Sequence, residues 1–293
     1  MNILITGANG SLGHYLVPVL LLKGHTVIAT GKGRKRIPIE HEHLRYAEMD
    51  ITDPYSLHDV FAKYQPEVVV HAAAMSKPDE CELNPALAYA TNVEATVQLL
   101  LNAEEYKSFF IFLSTDFIFD GEKGMYKEED VAVPVNYYGR TKLEAEEAIK
   151  EYACDWNIIR TVLVYGKPPE GKSNLLTIVK EKLETNQEYS VVDDQVRTPT
   201  YAGDLAEAIA TVIDKKVTGI FHISGSERMT PYEMAVRLAE HLRLNKGLIK
   251  KVTADTFTQP AKRPLNTGFN IDKATRVFKY SPISFNTGIR KIF

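Results

Sequence analysis

The chain has 293 residues, of which 44% are apolar and 25% charged, as in an ordinary globular protein with a sizeable core. Its formal net charge of −3 gives no broad basic field, which argues against nucleic acid as a partner. The apolar run from Leu16 to Leu22 is too short to cross a bilayer and contains Pro18, so no membrane association is predicted.

The two cysteines, Cys81 and Cys154, lie far apart in sequence and lack metal-ligand spacing. We therefore expect two buried free thiols, no metal site and a reducing compartment. The first residues have the pattern of a strand rather than of a signal peptide, and this favours the cytoplasm.

A glycine-rich turn follows the first predicted strand, Ile3–Ile5. Its sequence is Thr-Gly-Ala-Asn-Gly-Ser-Leu-Gly over residues 6–13, and a helix to about Lys23 and a strand over 26–30 come next. In a β-α-β unit, glycines at such positions allow a tight turn, close approach to a pyrophosphate and close helix–strand packing. The helix start adds free N–H groups. This predicts a dinucleotide site that includes Gly7, Asn9, Gly10, Ser11, Leu12 and Gly13.

A basic loop, Gly31-Lys-Gly-Arg-Lys-Arg36, follows the second strand, and the first acid after it is Glu40. Sites for NAD usually place Asp or Glu here to bind the ribose 2′-hydroxyl. A basic cluster instead suits the 2′-phosphate of NADP, bound through Lys32 and Arg34. Two alternatives remain: the basic residues could form a solvated loop with no ligand, and the cofactor could be NAD.

Three further segments are predicted to line the cofactor. The strand Leu44 to Met49 leads to Asp50 and Ile51, positions that often touch adenine in such folds. The strand Glu67 to His71 leads to Ala72, Ala73 and Ala74, whose small side chains allow close approach, and His71 is expected to be structural. Asn92, on a long helix predicted from Pro85 to Ala103, is also assigned to the cofactor site.

Tyr138 and Lys142 stand four residues apart at the start of a predicted helix, so their side chains share one face. A neighbouring ammonium stabilises a phenolate and lowers its pKa, and this makes Tyr138 the candidate general acid/base with Lys142 as its tuner. Thr115 ends the apolar strand that starts at Phe109, at the sheet edge where ligands bind in open α/β folds. Thr115 could hydrogen-bond the oxygen that Tyr138 protonates, or it could be a cap or turn residue. Taken alone, Tyr138 and Lys142 could also belong to an ordinary solvated helix face.

The second half of the chain is less regular. A sixth strand is predicted from Trp156 to Val164, helices over 175–183, 204–213 and 231–242, a strand over 219–224 and a short helix from Asp272. The fold class is therefore α/β, a Rossmann-type doubly wound parallel sheet with a smaller C-terminal α/β region. We expect an NADP-binding domain over residues 1–165 and a mainly substrate-binding region over 166–293, with about 196–225 returning to the core.

These residues resemble the extended short-chain dehydrogenase/reductases, and most closely their dTDP-4-dehydrorhamnose reductase branch. The resemblance covers nearly the whole chain. Its motifs are residues 6–13 and 79–82, Thr91–Thr96, Ser114–Gly121, Tyr138–Leu143, 160–166, 194–200 and Arg263–Asn266. It implies reduction of a 4-keto-6-deoxy nucleotide sugar by NADPH, with Thr115, Tyr138 and Lys142 catalytic and Thr115 and Asp116 near the sugar. Arg197 is equally a candidate substrate ligand or a structural residue, and Arg160 is expected to be structural. The sequence does not decide between a monomer and a homodimer.

One position departs from the branch. Rhamnose-pathway reductases usually carry tryptophan, which lies against the sugar, where this chain has Leu163. The departure does not change the predicted reaction type, but it leaves the identity of the sugar undecided.

Other members of the superfamily fit less well, with one exception. A 4,6-dehydratase would have glutamate where this chain has Phe117, and an epimerase would favour retained NAD over the basic loop. The exception belongs to a different class, the regulatory β subunit of methionine adenosyltransferase. That subunit keeps the Tyr-x-x-x-Lys pair and is similar over residues 221–234.

Overall fold

The computed structural model describes all 293 residues and contains a seven-stranded parallel sheet. Its strands are β1 (Asn2–Thr6), β2 (Thr26–Gly31), β3 (Leu44–Glu48), β4 (Val68–His71), β5 (Phe109–Thr115), β6 (Trp156–Thr161) and β10 (Gly219–Ile223). They lie in the order β10-β6-β5-β4-β1-β2-β3. The reversal between β1 and β4 is the switch point at which open α/β sheets bind their ligands. The predicted α/β fold with a Rossmann-type sheet is confirmed.

The helices are α1 (Ser11–Leu22), α2 (Pro54–Tyr64), α3 (Pro78–Leu83), α4 (Pro85–Tyr89), α5 (Ala95–Glu105), α6 (Tyr137–Lys150), α7 (Leu175–Glu184), α8 (Ala202–Lys215), α9 (Pro231–Leu242), α10 (Asp272–Phe278) and α11 (Phe285–Arg290). Helices α1 and α8 cover one face of the main sheet, and α2, α5 and α6 cover the other. This produces three layers with an apolar core on each side of the sheet. None of the helices has both the length and the apolar character needed to cross a membrane.

Two short parallel pairs complete the strands, β8 (Tyr189–Val192) with β11 (Ile249–Val252) and β7 (Val164–Tyr165) with β9 (Thr200–Tyr201). Helices α7, α9 and α11 form a third apolar cluster around these segments. Tyr15 of α1 packs against both this cluster and the core of the main sheet. The two regions are therefore joined through shared side chains, and the boundary after residue 165 stays a prediction.

Three local predictions need correction. The sixth strand does not continue to Val164, because β6 ends at Thr161 and Leu163 adopts a left-handed φ of 36°. The long helix predicted from Pro85 to Ala103 is interrupted by a π-helical turn over Ala90–Glu94. Of the two expected buried thiols, Cys81 is buried, whereas Cys154 is only half-buried.

A buried ion pair fastens α6 to the sheet. The guanidinium of Arg160 on β6 contacts both carboxylate oxygens of Glu146, at 2.6 Å from Nη2 to Oε2 and 3.0 Å from Nε to Oε1. Both side chains are almost fully buried, with 4% and 0% exposure. The hydroxyl of Ser114 on β5 also donates to Glu146. Removing one partner would therefore leave an uncompensated charge in the core.

We expect Glu146→Ala to lower the free energy of unfolding by about 3–5 kcal/mol, because Arg160 would remain buried without its counter-charge. Denaturant unfolding measures this loss. Glu184→Ala is a matched control, since Glu184 pairs with Lys180 at the surface of α7, and it should cost no more than about 0.5 kcal/mol. Equal losses in the two variants would contradict the structural role of Glu146.

Candidate functional site

The glycine turn after β1 lies against the segment that follows β4. Gly7 has a φ of +69°, and a Cβ there would lie 2.8 Å from the Cα of Ala73. A Cβ on Gly13 would lie 2.0 Å from the carbonyl oxygen of Ala8, so this helix position also requires glycine. Close packing thus explains two glycines of the motif, and the third, Gly10, donates its N–H to Gly7 O at 2.8 Å.

The start of α1 is open to an anion. Its N-cap residue is Gly10, so no side chain caps the first N–H groups, and the first turn carries no acid. Ser11 and Leu12 are the first two helical residues and are half-buried. Free N–H groups at the positive end of a helix dipole suit a pyrophosphate. Together with the close approach at Gly7 and Ala73, this arrangement fits a dinucleotide.

A hydrogen-bonded chain fixes the wall formed by residues 72–74. The hydroxyl of Thr96 donates to Asn92 O, so it accepts from His71 Nε2 at 3.0 Å. His71 Nδ1 then accepts from Thr6 Oγ1 at 2.7 Å, and Thr6 Oγ1 in turn accepts from the N–H of Ala73. Burial, with a contribution from Lys142, lowers the pKa of His71 to about 3 and keeps the ring neutral. His71 is thus a structural residue, as expected.

A cavity of about 430 Å³ opens beside Ile51, next to Tyr89 and Val93. Ile51 is itself buried. Asp50 is half-exposed, and its Oδ2 lies 2.8 Å from the Nζ of Lys32. Lys32 and Thr52 outweigh the effect of burial and hold the pKa of Asp50 below its ordinary value. The structure therefore pairs two predicted cofactor residues, Lys32 and Asp50, with each other.

Thr115, Tyr138 and Lys142 meet at the carboxyl edge of the sheet. Asn136 caps α6 by accepting the N–H of Gly139 at 2.9 Å, and this sets the helix start that carries Tyr138. A Cβ on Gly139 would lie 2.1 Å from Phe117 O, so α6 is pressed against the turn after β5. The ring of Tyr138 packs edge-on against that of Phe117, with 5.9 Å between the ring centroids, two residues after Thr115. The structure thus places the predicted proton donor at the sheet edge where Thr115 ends β5.

The electrostatics of Tyr138 differ from the expectation. Tyr138 keeps some exposure, but enough protein surrounds its hydroxyl that burial raises the pKa above its ordinary value. The nearby Thr115 hydroxyl opposes this rise, and the charge of Asp116 adds to it. The net direction is opposite to the lowering that the four-residue spacing to Lys142 predicts. In the protein alone, Tyr138 is a neutral phenol that holds its proton.

Lys142 is a buried amine with an unused hydrogen-bonding group. It is 3% exposed, its Nζ lies 3.8 Å from the ring centroid of Phe112, and no protein atom accepts a hydrogen bond from it. Burial lowers the pKa of Lys142 to about 7, against a smaller opposing effect of the Glu146 carboxylate. An amine at this sheet edge that makes no hydrogen bond within the protein fits a ligand hydroxyl.

Asn92 links the segment that follows β4 to helix α6. Its side chain bonds the N–H and the carbonyl of Met75, at 2.8 and 3.0 Å, and donates to Thr141 Oγ1 at 3.0 Å. Thr141 in turn donates to Tyr138 O. Asn92 is 1% exposed, so the structure places it between the wall and α6 rather than on the open surface of the cofactor site.

Asp116 and Arg197 form a buried pair in which Arg197 Nε lies 3.6 Å from Asp116 Oδ2. Asp116 also accepts from the hydroxyls of Thr115 and Thr267, and burial raises its pKa while Arg197 opposes the rise. The Arg197 guanidinium donates to the carbonyls of Pro264 and Leu265, at 2.6 and 3.1 Å. Both predicted substrate ligands are thus engaged within the protein, and the structure does not present either to a substrate.

Tyr46 and Thr267 also hold the site but were not predicted from the sequence. Tyr46 on β3 holds the basic loop by donating to Gly33 O at 2.6 Å, and Thr267 binds Asp116. Tyr46 carries no local signal, because its role depends on the pairing of β2 with β3. Thr267 directly follows the segment Arg263–Asn266, which the family resemblance had singled out, so its position in sequence could have drawn attention to it.

The parallel sheet, the glycine turn and the Tyr138–Lys142 helix define the class of the protein, a dinucleotide-fold protein of the short-chain dehydrogenase/reductase type. A family model described as RmlD substrate binding domain matches residues 1–293. The chain therefore belongs to this family of extended short-chain dehydrogenase/reductases, and the resemblance predicted from the sequence is confirmed.

Proteins of more than one kind are similar to this chain. Methionine adenosyltransferase 2 subunit beta from Bos taurus is 31% identical over 99% of this chain and 86% of its own length. A dTDP-4-dehydrorhamnose reductase from Aggregatibacter actinomycetemcomitans is 28% identical over 99% of this chain and 98% of its own. The structure of a dTDP-4-dehydrorhamnose reductase from Bacillus anthracis in complex with NADP has a TM-score of 0.85 and 25% identity, over 100% of this chain and 98% of that one.

The pKa of Lys142 leads to a prediction for stability. Because the folded pKa is about 7 against an ordinary value of 10.5, the wild type loses stability as the pH falls from about 10 to about 7. Lys142→Met removes this cost, so its free energy of unfolding relative to wild type should rise by at most about 1.4 kcal/mol for each unit by which the pH falls within this window.

Denaturant unfolding at several pH values between about 7 and 10 tests this. Lys150→Met, at the exposed end of the same helix, is the matched control and should show no such trend. A gain for Lys142→Met that does not vary with pH would contradict the burial of a titrating amine.

Proposed function

We propose that the chain is an NADPH-dependent reductase of a nucleotide-linked 4-keto-6-deoxy sugar, with Tyr138 as the proton donor. The observation that carries this proposal is the juxtaposition of two groups at the carboxyl edge of the sheet. Tyr138 presents a neutral hydroxyl, and Lys142, four residues further along the same helix, presents an amine 3.8 Å from the ring centroid of Phe112 on β5. Such a pair suits the transfer of one proton to a ketone oxygen.

Several features support NADP as the cofactor. The glycine turn and the uncapped start of α1 fit the pyrophosphate, and the basic loop fits a 2′-phosphate. The related Bacillus anthracis reductase was solved in complex with NADP. When bound, NADPH supplies the hydride that reduces the ketone carbon.

The residues of the chain handle the proton. As negative charge develops on the ketone oxygen, Tyr138 donates its hydroxyl proton to that oxygen and becomes a phenolate. The raised pKa of Tyr138 keeps this proton in place until the substrate oxygen becomes more basic than the phenolate. Thr115 ends β5 at the same sheet edge, and its hydroxyl can hydrogen-bond the same oxygen when it turns its proton away from Asp116. The Lys142 ammonium stabilises the phenolate and, with a pKa of about 7, can return a proton to it.

The sugar subsite differs from the rhamnose-pathway pattern. Leu163, which takes the position of the usual tryptophan, is 39% exposed and has a positive φ of 36°. A branched residue in this backbone region is strained, and such strain is concentrated at functional sites. We therefore assign to this chain a nucleotide sugar of the same class whose ring meets a small aliphatic wall instead of a flat aromatic one.

The second candidate function is that of a regulatory NADP-binding subunit. It is favoured by the similarity to bovine methionine adenosyltransferase 2 subunit beta over 99% of this chain. A panel of keto-sugar nucleotides, followed at the NADPH absorbance, separates the two functions. Turnover of a 4-keto-6-deoxy sugar supports the reductase. Co-purification of a methionine adenosyltransferase from the native host, with no turnover of any sugar in the panel, supports the regulatory role.

Tyr138→Phe should reduce kcat by at least about 10²-fold, because it removes the donated proton and leaves the ring in place. NADPH binding should be retained, and fluorescence titration checks this. The matched control is Tyr137→Phe, the adjacent tyrosine on the same helix, which should keep nearly full activity. Full activity in Tyr138→Phe would refute Tyr138 as the proton donor.

A further inference from the structure

Arg263 lies in the segment between β11 and α10 and joins this segment to α3 by an ion pair. Its guanidinium makes two parallel hydrogen bonds to the carboxylate of Asp79, at 2.5 Å from Nη1 to Oδ1 and 2.7 Å from Nη2 to Oδ2. The Arg263 side chain is 14% exposed and that of Asp79 35%. The bond from Arg263 holds the pKa of Asp79 below its ordinary value, so the pair stays charged at neutral pH.

The same pair fixes the main chain just before Arg263. Arg263 Nη1 donates to Ala261 O at 2.6 Å, and the N–H of Ala261 donates to Asp79 Oδ1 at 3.1 Å. Residues 255–260, which come before, are all exposed, and their hydrogen bonds stay within the segment 253–257. At this end, the segment therefore depends on Asp79 for its position.

The carbonyl of the preceding residue, Lys262, contacts the start of the catalytic helix. It accepts from the side-chain amide of Asn136 at 2.8 Å. The same side chain caps α6 by accepting the N–H of Gly139, one residue after Tyr138. A side chain that is bound at both ends of its amide cannot rotate without losing one bond. The position of Lys262 therefore sets the orientation of the cap and, through it, the first turn of α6 that carries Tyr138.

The two carbonyl groups that follow Arg263 support the end of β5. Those of residues 264 and 265 accept from the guanidinium of Arg197 at 2.6 and 3.1 Å. Arg197 Nε in turn lies 3.6 Å from the carboxylate of Asp116, which directly follows β5. Arg263 thus stands between a contact to the catalytic helix and a contact to the sheet edge that faces it.

We propose that Arg263, through its ion pair with Asp79, is a positioning residue that aligns Tyr138 for proton transfer. The pair acts through the Asn136 cap, because a free Arg263 would allow the neighbouring carbonyl to move away from the cap amide. A displacement of the donor by about 1 Å can slow catalysis by about 10²-fold. The kinetic part of this inference rests on the proposed reductase activity, whereas the order of the α6 start does not.

Two variants remove the pair from either side. Arg263→Met keeps the length of the side chain without its charge, and Asp79→Asn removes the opposite charge. Each should lower kcat by about 10- to 100-fold and change the Kd of NADPH by less than about 2-fold, because the wall at 72–74 has contacts of its own. Arg237→Met is the matched control, since Arg237 pairs with Glu227 at 2.8 Å and is also partly exposed, and it should keep nearly full activity.

A double-mutant cycle separates positioning from a general loss of structure. In a Tyr138→Phe background, Arg263→Met should reduce the residual activity by less than about 2-fold, because the group that Arg263 positions is absent. A merely structural role would give the full reduction in both backgrounds. Arg263→Lys should recover part of kcat, since lysine keeps the charge but cannot form the two parallel hydrogen bonds.

Amide hydrogen exchange follows the same contact without turnover. The Gly139 N–H, which the Asn136 cap protects, should exchange at least about 5-fold faster in Arg263→Met than in the wild type or in Arg237→Met. Unchanged exchange of Gly139 in both Arg263→Met and Asp79→Asn would overturn the assignment, and so would additive losses in the cycle. If the wild type reduces no keto sugar, the proposed reductase activity fails, and the exchange of Gly139 alone decides whether the pair positions α6.

Discussion

The inward-facing polar row of α6 is the constraint on which the site depends. Tyr138, Lys142 and Glu146 follow one another at four-residue intervals, so one helix face carries a phenol, an amine and a carboxylate towards the sheet. Helices that cover a sheet normally bury apolar side chains there. Here Arg160 on β6 neutralises Glu146, and the Glu146 carboxylate in turn keeps the pKa of Lys142 from falling further. The same ion pair thus fastens the helix and sets the charge next to the reacting groups.

The C-terminal segment 261–267 ties this helix to the rest of the site. Asp79 of α3 binds the guanidinium of Arg263, and the Asn136 amide donates to Lys262 O at 2.8 Å. Further along, the carbonyls of residues 264 and 265 accept from Arg197, and Thr267 binds Asp116. Residues from four distant parts of the chain are held by seven consecutive residues. The family motifs in this region therefore mark contacts that maintain the shape of the site.

Much of this arrangement was predictable from the sequence because it depends on local rules. Glycines are required between β1 and α1 because the backbone there packs closely against neighbouring backbone. The four-residue spacing of Tyr138 and Lys142 places both side chains on one face of α6. What could not be predicted depends on contacts between segments far apart. The burial of Asp116 and Arg197 against the 261–267 segment is one example, and the pairing of Lys32 with Asp50 is another. The rise in the pKa of Tyr138 likewise reflects how much protein surrounds its hydroxyl, which the spacing to Lys142 does not reveal.

The π-helical turn at Ala90–Glu94 has a consequence for how this part of the chain can vary. Such a turn holds one residue more than a regular helical turn. Deleting one residue there would restore an unbroken α-helix, but it would rotate everything before the deletion by about 100° relative to α5. Asn92 could not then reach Met75 and Thr141 while Thr96 still reached His71. The extra residue thus sets the rotation between the two hydrogen-bond networks, and substitutions of the residues of this turn other than Asn92 should be tolerated far better than changes in its length.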